Sequence, residues 1–418
     1  MRESRWLMNK DSTFRIEPPV EESPGGATAP EGFAACGVVC GVRGEGGRDL
    51  GLLYSGSPCV SAGVYTRNAF EGAPLAVTRE AVGAGAVRAV VANSGNANAA
   101  TGKPGVEDAR AMQESAARAL GLGTREVAVA STGVIGERLP VDRIRESIPE
   151  VAGGLSQDGS SFAEAILTTD TRTKEAAVRV PLGGGYVTVG GTAKGSGMIH
   201  PNMGTMLAFL TTDAAVDRDC LQETLSRAVD ASFNRVTVDG DTSPSDMALL
   251  LANGAAGNEP LNADSSEYPA FVEAVEAVTK RLAREIARDG EGATKLVEAT
   301  VEGARDEEQA AALAKAVVGS SLVKAAVAGE DANWGRVLVA LGYSGAEFDP
   351  AGLTLYFGGV KVFEAGEPVA HDEAAANRAL AGDEVEIRAV LAGGEASTTA
   401  WGCGLTYEYV RINGSYRT

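Results

Sequence analysis

Between residues 194 and 207 the chain reads KGSGMIHPNMGTML, which puts the hydroxyl of Thr205 directly after Gly204 and at the mouth of the apolar run Met206 to Leu210. A peptide bond preceded by glycine is little shielded, so the Thr205 hydroxyl can attack the Gly204 carbonyl and leave Thr205 as a new N-terminus. The freed α-amine, whose pKa lies near neutrality, then serves as the base for its own hydroxyl. A glycine-rich loop entering a buried strand is the plainer reading, and a Gly-Thr pair alone favours it. His200 lies five residues before Thr205 and is one of only two histidines, the other being His371. An imidazole so placed can act as a base or simply hydrogen-bond loop carbonyls. The scarcity of histidine favours a nucleophile that supplies its own amine.

Other residues carry chemistry only in combination. Thr132 and Gly133, in STGVIG at 131 to 136, offer a hydroxyl and an amide that can converge on an oxyanion, although such turns are common. Lys194, beside Gly195, can meet a substrate carboxylate or polarise the scissile carbonyl. Thr168 in AILTTDT, Glu291 between two glycines, and Asn413 with Thr418 at the C-terminal end say little one by one. Metal and phosphate readings fail on spacing. DGDTSPSD begins like a calcium loop, but Pro244 stands where the sixth-position glycine belongs and Leu250 where the bidentate glutamate belongs. In GNANAATGKP, Gly95 and Gly102 are too far apart for a phosphate loop, and Pro104 replaces the residue that would hold magnesium. No HExxH or GxGxxG occurs, and no metal site is expected.

The elements that must position these residues belong to a large globular chain. At 418 residues the length suggests two to three domains or one two-part fold, and 44% hydrophobic with 22% charged residues is ordinary for a protein with a sizeable core. A net charge of −19 and the lack of a basic cluster with interleaved aromatics disfavour nucleic-acid or anionic-membrane partners. Five cysteines without a CxxC pair are expected to be free, buried thiols in a reducing compartment, hence a cytoplasmic protein. No stretch approaches about 18 uninterrupted apolar residues, and nothing in the N-terminal segment has signal-peptide character.

The proline- and glycine-rich first thirty residues suggest a surface arm, with order starting near Phe33 and strands in GVVCGV and DLGLLYS. A buried strand AVRAVVAN leads through SGNANAATGKPG into an amphipathic helix with Val106, Ala109, Met112 and Ala116 on one face, and Glu126 to Ser131 forms another strand. Beyond Thr205 a helix is expected from about Asp217 to Phe233, then strand MALLLAN, then a longer helix carrying Phe271, Val275, Val278, Leu282 and Ile286. The loop GEGATK, 290 to 295, follows it. Residues 306–328 read as helical, and 336–342, 353–357, 384–392 and 398–412 as strands. Without a regular alternation of strand and helix, the fold class expected is α+β, with layered mixed sheets packed between helices.

The joint pattern decides the matter. GGATAPEGF, VVANSGNANAATG, ASTGVIGERLP, AILTTDT, KGSGMIHPNMGTMLAFLTTDA, DGDTSPSD, LLLANG, GEGATK, NWGRVLVALGYSG and INGSYRT together make the chain resemble the ornithine acetyltransferase (glutamate N-acetyltransferase) family of arginine biosynthesis over nearly its whole length. The resemblance implies self-cleavage between Gly204 and Thr205 into an α chain, 1–204, and a β chain, 205–418, that stay associated as α2β2. It implies Thr205 as the nucleophile that takes acetyl from N-acetylornithine and passes it to glutamate. It further implies Thr132 and Gly133 as an oxyanion pair and Thr168, Lys194, Thr205, Glu291, Asn413 and Thr418 as substrate-binding positions. No cofactor is implied, with acetyl-CoA a candidate co-substrate of bifunctional members. Gly204 stands where many members have Ala, Met247 where a small polar residue is usual, and Ala325 where Thr is usual, which bears on cleavage speed and substrate preference. Two other readings stay open at this point: an N-terminal-nucleophile amidase or aminopeptidase, in which water resolves the acyl-threonine, and an uncleaved amino-acid-binding protein.

Overall fold

The computed structural model describes residues 20–44, 46–200 and 206–415, so Gly204, Thr205 and Thr418 lie outside the described residues. A six-stranded sheet runs in the order Glu21–Glu22, Lys174–Leu182, Gly185–Lys194, Leu207–Thr212, Met247–Ala252 and Val60–Tyr65. Its neighbours are antiparallel, except that Leu207–Thr212 and Met247–Ala252 run parallel. A four-stranded sheet, Phe33–Val38, Leu50–Ser55, Ala89–Asn93 and Val127–Ser131, lies against it and ends in a parallel pair.

Period-two alternation builds the layers. Leu207 and Phe209 face a core shared with Leu53, Val90 and Ala128 of the second sheet, while Ala208 and Leu210 face one shared with Leu221 and Leu225 of helix Arg218–Asp230 and Val278 and Leu282 of helix Tyr268–Arg288. The far side of the smaller sheet is covered by Met112 of helix Gly102–Leu120 and Ile144 of helix Val141–Gly153. Two sheets thus sit between two helix layers, the mixed α+β arrangement expected. All six residues of Leu207–Thr212 and all six of Met247–Ala252 are buried, as strands covered on both faces must be. Each fully buried Leu or Phe contributes about 1.5–3 kcal/mol, so these strands form a well-packed centre.

A third sheet of six strands, ordered Glu367–Pro368, Val360–Glu364, Thr354–Phe357, Glu384–Val390, Leu296–Ala304 and Ala396–Cys403, has its own core against helices Glu307–Gly319 and Ser321–Ala328. Here two sequence expectations fail. Residues 336–342 are part of helix Trp334–Gly342, because Val337, Ala340 and Leu341 recur at helical spacing and the Asn333 side chain caps the Arg336 amide at 3.3 Å. The strand expected over 398–412 ends at Cys403, and Thr406 then caps the short helix Tyr407–Asn413 by accepting from the Glu408 amide at 3.2 Å. Order also begins before Phe33: Glu21 and Glu22 pair with Arg179 and Val178, and Ala27 is buried, its carbonyl accepting from the Thr211 hydroxyl. The five cysteines are free, but only Cys59, Cys220 and Cys403 are buried, while Cys36 and Cys40 are partly exposed. Among the described residues no single helix is long and apolar enough to cross a membrane.

Candidate active site

Strand register brings three strand ends to one edge of the large sheet. Lys194 closes its strand opposite Leu207, and Leu207 opens its own beside Met247, which opens the next. Lys194, Met206 and Asp246 therefore meet at that edge and line a cavity of about 180 Å³, together with Thr132, Gly133, Thr168, Glu291 and Asn413. Every sequence-predicted site residue that is described lines it, although these residues come from five separate stretches of chain.

The threonine–glycine turn follows strand Val127–Ser131. The Thr132 amide donates to the Asn93 carbonyl at 3.0 Å, and the Ser131 hydroxyl donates to the Asn93 carboxamide at 2.6 Å. Gly133 has φ +131°, and a Cβ there would sit 2.4 Å from the Gly95 carbonyl carbon, so only glycine fits. The loop after Asn93, read from sequence as turn chemistry alone, is thus the support of this turn. Lys194, 8% exposed, donates from Nζ to the Thr132 hydroxyl oxygen at 3.2 Å. Burial pushes its ammonium below the ordinary lysine value against the pull of Asp170 and Asp246.

On the other side Asn413 donates from its carboxamide to Glu291 Oε2 at 2.6 Å. Gly197 passes so close that a Cβ would overlap the Glu291 carboxylate at 2.3 Å. The Thr406 hydroxyl donates to the Gly292 carbonyl at 2.7 Å, which docks the C-terminal helix on the Glu291 loop. Asp239 accepts from the amides of Met198 and Ile199 at 2.7 and 2.8 Å and from the Tyr409 hydroxyl at 3.3 Å, tying the same helix to the segment after Lys194. The acidic loop that resembles a calcium site is occupied in this way, and no metal-ligand cluster exists among the described residues.

A buried ion network absent from the sequence reading holds these loops together. Lys174 donates to Asp170 Oδ1 at 2.7 Å and to Asp289 Oδ2 at 2.6 Å, with all three side chains at most 4% exposed. Asp170 also accepts from the amides of Thr168 at 3.0 Å and Gly195 at 2.7 Å, and Asp289 accepts from Thr171. Burial pushes Asp170 up, but Lys174, Lys194 and the Thr168 amide outweigh it and hold the carboxylate well below its ordinary range. Its sequence signal was the Asp170/Lys174 spacing of four in TTDTRTK. Lys174→Met would leave two buried carboxylates unpaired and is expected to cost about 3–5 kcal/mol, visible as a lowered unfolding midpoint in urea. An unchanged midpoint would mean the network contributes nothing.

His200 does not line the cavity. Its Nδ1 lies 3.0 Å from the Thr237 hydroxyl, and its carbonyl accepts from Thr242, so it serves as a loop anchor and not as a base. Burial, with Lys315 nearby, lowers it from 6.5 to about 4. A depressed folded-state value means that the stability carried by neutral His200 is complete above pH 6.5 and is lost as pH falls through about 4. His200→Gln is expected to flatten the acid side of the Tm-versus-pH curve in that window, and parallel curves would contradict this.

A buried lysine, a Thr-Gly turn and a buried carboxylate around one small cavity define the class as a protein with a site for a small polar molecule. The ArgJ family model matches residues 34–418. The arginine biosynthesis bifunctional protein ArgJ of Symbiobacterium thermophilum is 57% identical over 397 residues, 94% of this chain and 99% of its own length. That of Bacillus subtilis is 49% identical over 395 residues, covering 94% and 97%. A crystal structure of the arginine biosynthesis bifunctional protein from Bacillus halodurans has a TM-score of 0.49 at 45% identity, covering 50% of this chain and 98% of that one. The chain belongs to the ArgJ family and is an acetyltransferase of arginine biosynthesis.

Proposed function

We propose that the chain cleaves itself between Gly204 and Thr205 and then moves an acetyl group from N-acetyl-L-ornithine to L-glutamate through an acetyl-Thr205 ester. The observation that carries the reading is the Lys194 to Thr132 hydrogen bond of 3.2 Å on the wall of a cavity that Met206 also lines. Thr205 is joined to Met206 by a single peptide bond, and that Met206 lines the cavity supports the reading that the nucleophile serves it. The hydroxyl of Thr132 and the amide of Gly133 would receive the oxyanion, worth about 10²–10³ in rate per donor. Lys194 and Thr168 suit a substrate carboxylate, while Glu291, steadied by Asn413, suits the ornithine side-chain ammonium. Thr418 completes the C-terminal contribution.

Cleavage would leave residues 1–204 and 205–418 sharing one sheet. The antiparallel ladder from Val189 opposite Thr212 to Lys194 opposite Leu207 joins the two parts and supports their staying associated, and two such pairs would make up the α2β2 assembly that the family resemblance implies. The relatives are named bifunctional, and we extend that to this chain with acetyl-CoA as a second acetyl donor to glutamate at the same threonine. The free thiols support a cytoplasmic location. The test is release of ornithine from N-acetylornithine by the pure protein: release that depends on glutamate is expected. No release, or release that water alone sustains at the same rate, would overturn the reading.

A further inference from the structure

Asp246 is the one carboxyl at the cavity's strand edge that nothing above uses. It opens strand Met247–Ala252, and its backbone is fixed on both sides. Its carbonyl accepts from the Thr66 amide at 3.0 Å, and the next amide, of Met247, donates to the Met206 carbonyl at 2.9 Å. The side chain is 3% exposed and lines the cavity. Ser243 lies beside the carboxyl and favours its charged form. The second oxygen, Oδ2, has no partner among the described residues, and neither has the adjacent Ser245 hydroxyl. A buried acceptor without a donor is costly, whereas a protonated Oδ2 is a donor in search of an acceptor.

The proposed reaction has a place for such a group. When the Thr205 hydroxyl attacks, its proton passes to the Thr205 α-amine, but the ornithine nitrogen cannot depart from the acetyl carbon as an anion. Resting on the acetyl-Thr205 reading, we propose that Asp246 is the general acid that protonates the departing amine and the general base that deprotonates the entering one. In the first half, the Asp246 O–H proton moves to the nitrogen of the tetrahedral adduct, the C–N bond breaks, and ornithine leaves as the free amine. The acetyl ester is left beside an Asp246 carboxylate and a Thr205 ammonium. In the second half, the neutral amine of glutamate attacks the ester, its N–H proton passes to Asp246, the ammonium protonates the threonine oxygen, and the C–O bond breaks. Both groups return to their starting state, so no outside proton is consumed.

Burial raises the Asp246 carboxyl well above the ordinary range, opposed by Lys194 and Ser243, the direction a proton donor needs. The other charged or titratable groups are Lys194 at the sheet edge with Asp170 acting on it from the loop before strand Lys174–Leu182, and Glu291, Asp239, Asp241 and Tyr409 on the cavity wall.

The test compares two donors by rapid-quench formation of acetyl-Thr205. N-acetylornithine needs its leaving nitrogen protonated, and p-nitrophenyl acetate, which leaves as a stable phenolate, does not. Asp246→Asn is expected to slow acetylation by N-acetylornithine about 10²–10⁴-fold while changing that by p-nitrophenyl acetate by no more than about threefold. Equal loss with both donors, or no loss with either, would overturn the proposal. A second measurement needs no variant. In wild type the rate with N-acetylornithine is expected to fall as pH rises and Asp246 loses its proton, with no matching fall for the ester. Matching alkaline limbs would contradict it. A wild type that forms no acetyl-Thr205 from either donor would overturn the underlying reading and this proposal with it.

Discussion

Thr205→Ala is expected to yield a single uncut chain whose acetyl transfer lies at least about 10⁴-fold below wild type. The substitution removes the hydroxyl that would attack the Gly204 carbonyl, and without that cleavage the α-amine never forms. Nucleophile and base are lost in one change, which is why the effect exceeds that of any supporting residue. Binding survives, because Lys194 and Glu291 keep their supports in Thr132, Asn413 and Asp170. Thr205→Ser keeps both functions and is expected to cleave. Denaturing electrophoresis with a coupled ornithine assay reads all of this, and normal two-chain product from the alanine variant would refute the assignment.

Thr132→Ala is expected to lower kcat about 10²–10³-fold with little change in KM. The hydroxyl lost is a donor to charge that develops only after attack, so the ground state barely notices it. It also accepts the buried Lys194 ammonium at 3.2 Å, so the alanine variant leaves that group without its partner. Thr132→Ser retains the oxygen and is expected to recover most of the rate. A loss confined to KM would make Thr132 a binding residue and leave the oxyanion to other groups.

Much of this site can be read in the sequence because its members sit in distinctive strings. STGVIG follows a strand and marks a hydroxyl and an amide at a strand end, and Lys194 shares a segment with Thr205. The central strands are also legible, since MALLLAN is an unbroken apolar run of strand length that suits a strand covered on both faces. What escapes is whatever depends on register. Asp246 looks like one more acid in an acidic loop until the pairing of Met247 with Leu207 places it beside Lys194 and Met206. Lys174 looks like a solvated lysine until Asp289, far along the chain, closes on it. The C-terminal fold is misread for a local reason. WGRVLVALG and YEYVRIN are short and rich in residues that favour strands, and the caps Asn333 and Thr406, with the helical spacing of Val337, Ala340 and Leu341 in the first, mark them as helices. His200 shows the converse, a reactive residue type in the right segment that turns to Thr237 and away from the cavity.

Intact mass of the purified protein under denaturing conditions, before and after brief exposure to N-acetylornithine without glutamate, tests the central claim most directly. The expected result is two chains divided between Gly204 and Thr205, with one acetyl group appearing on the 205–418 chain and leaving again when glutamate is added. A single uncut chain without adduct, or an acetyl group carried by the 1–204 chain, would contradict it.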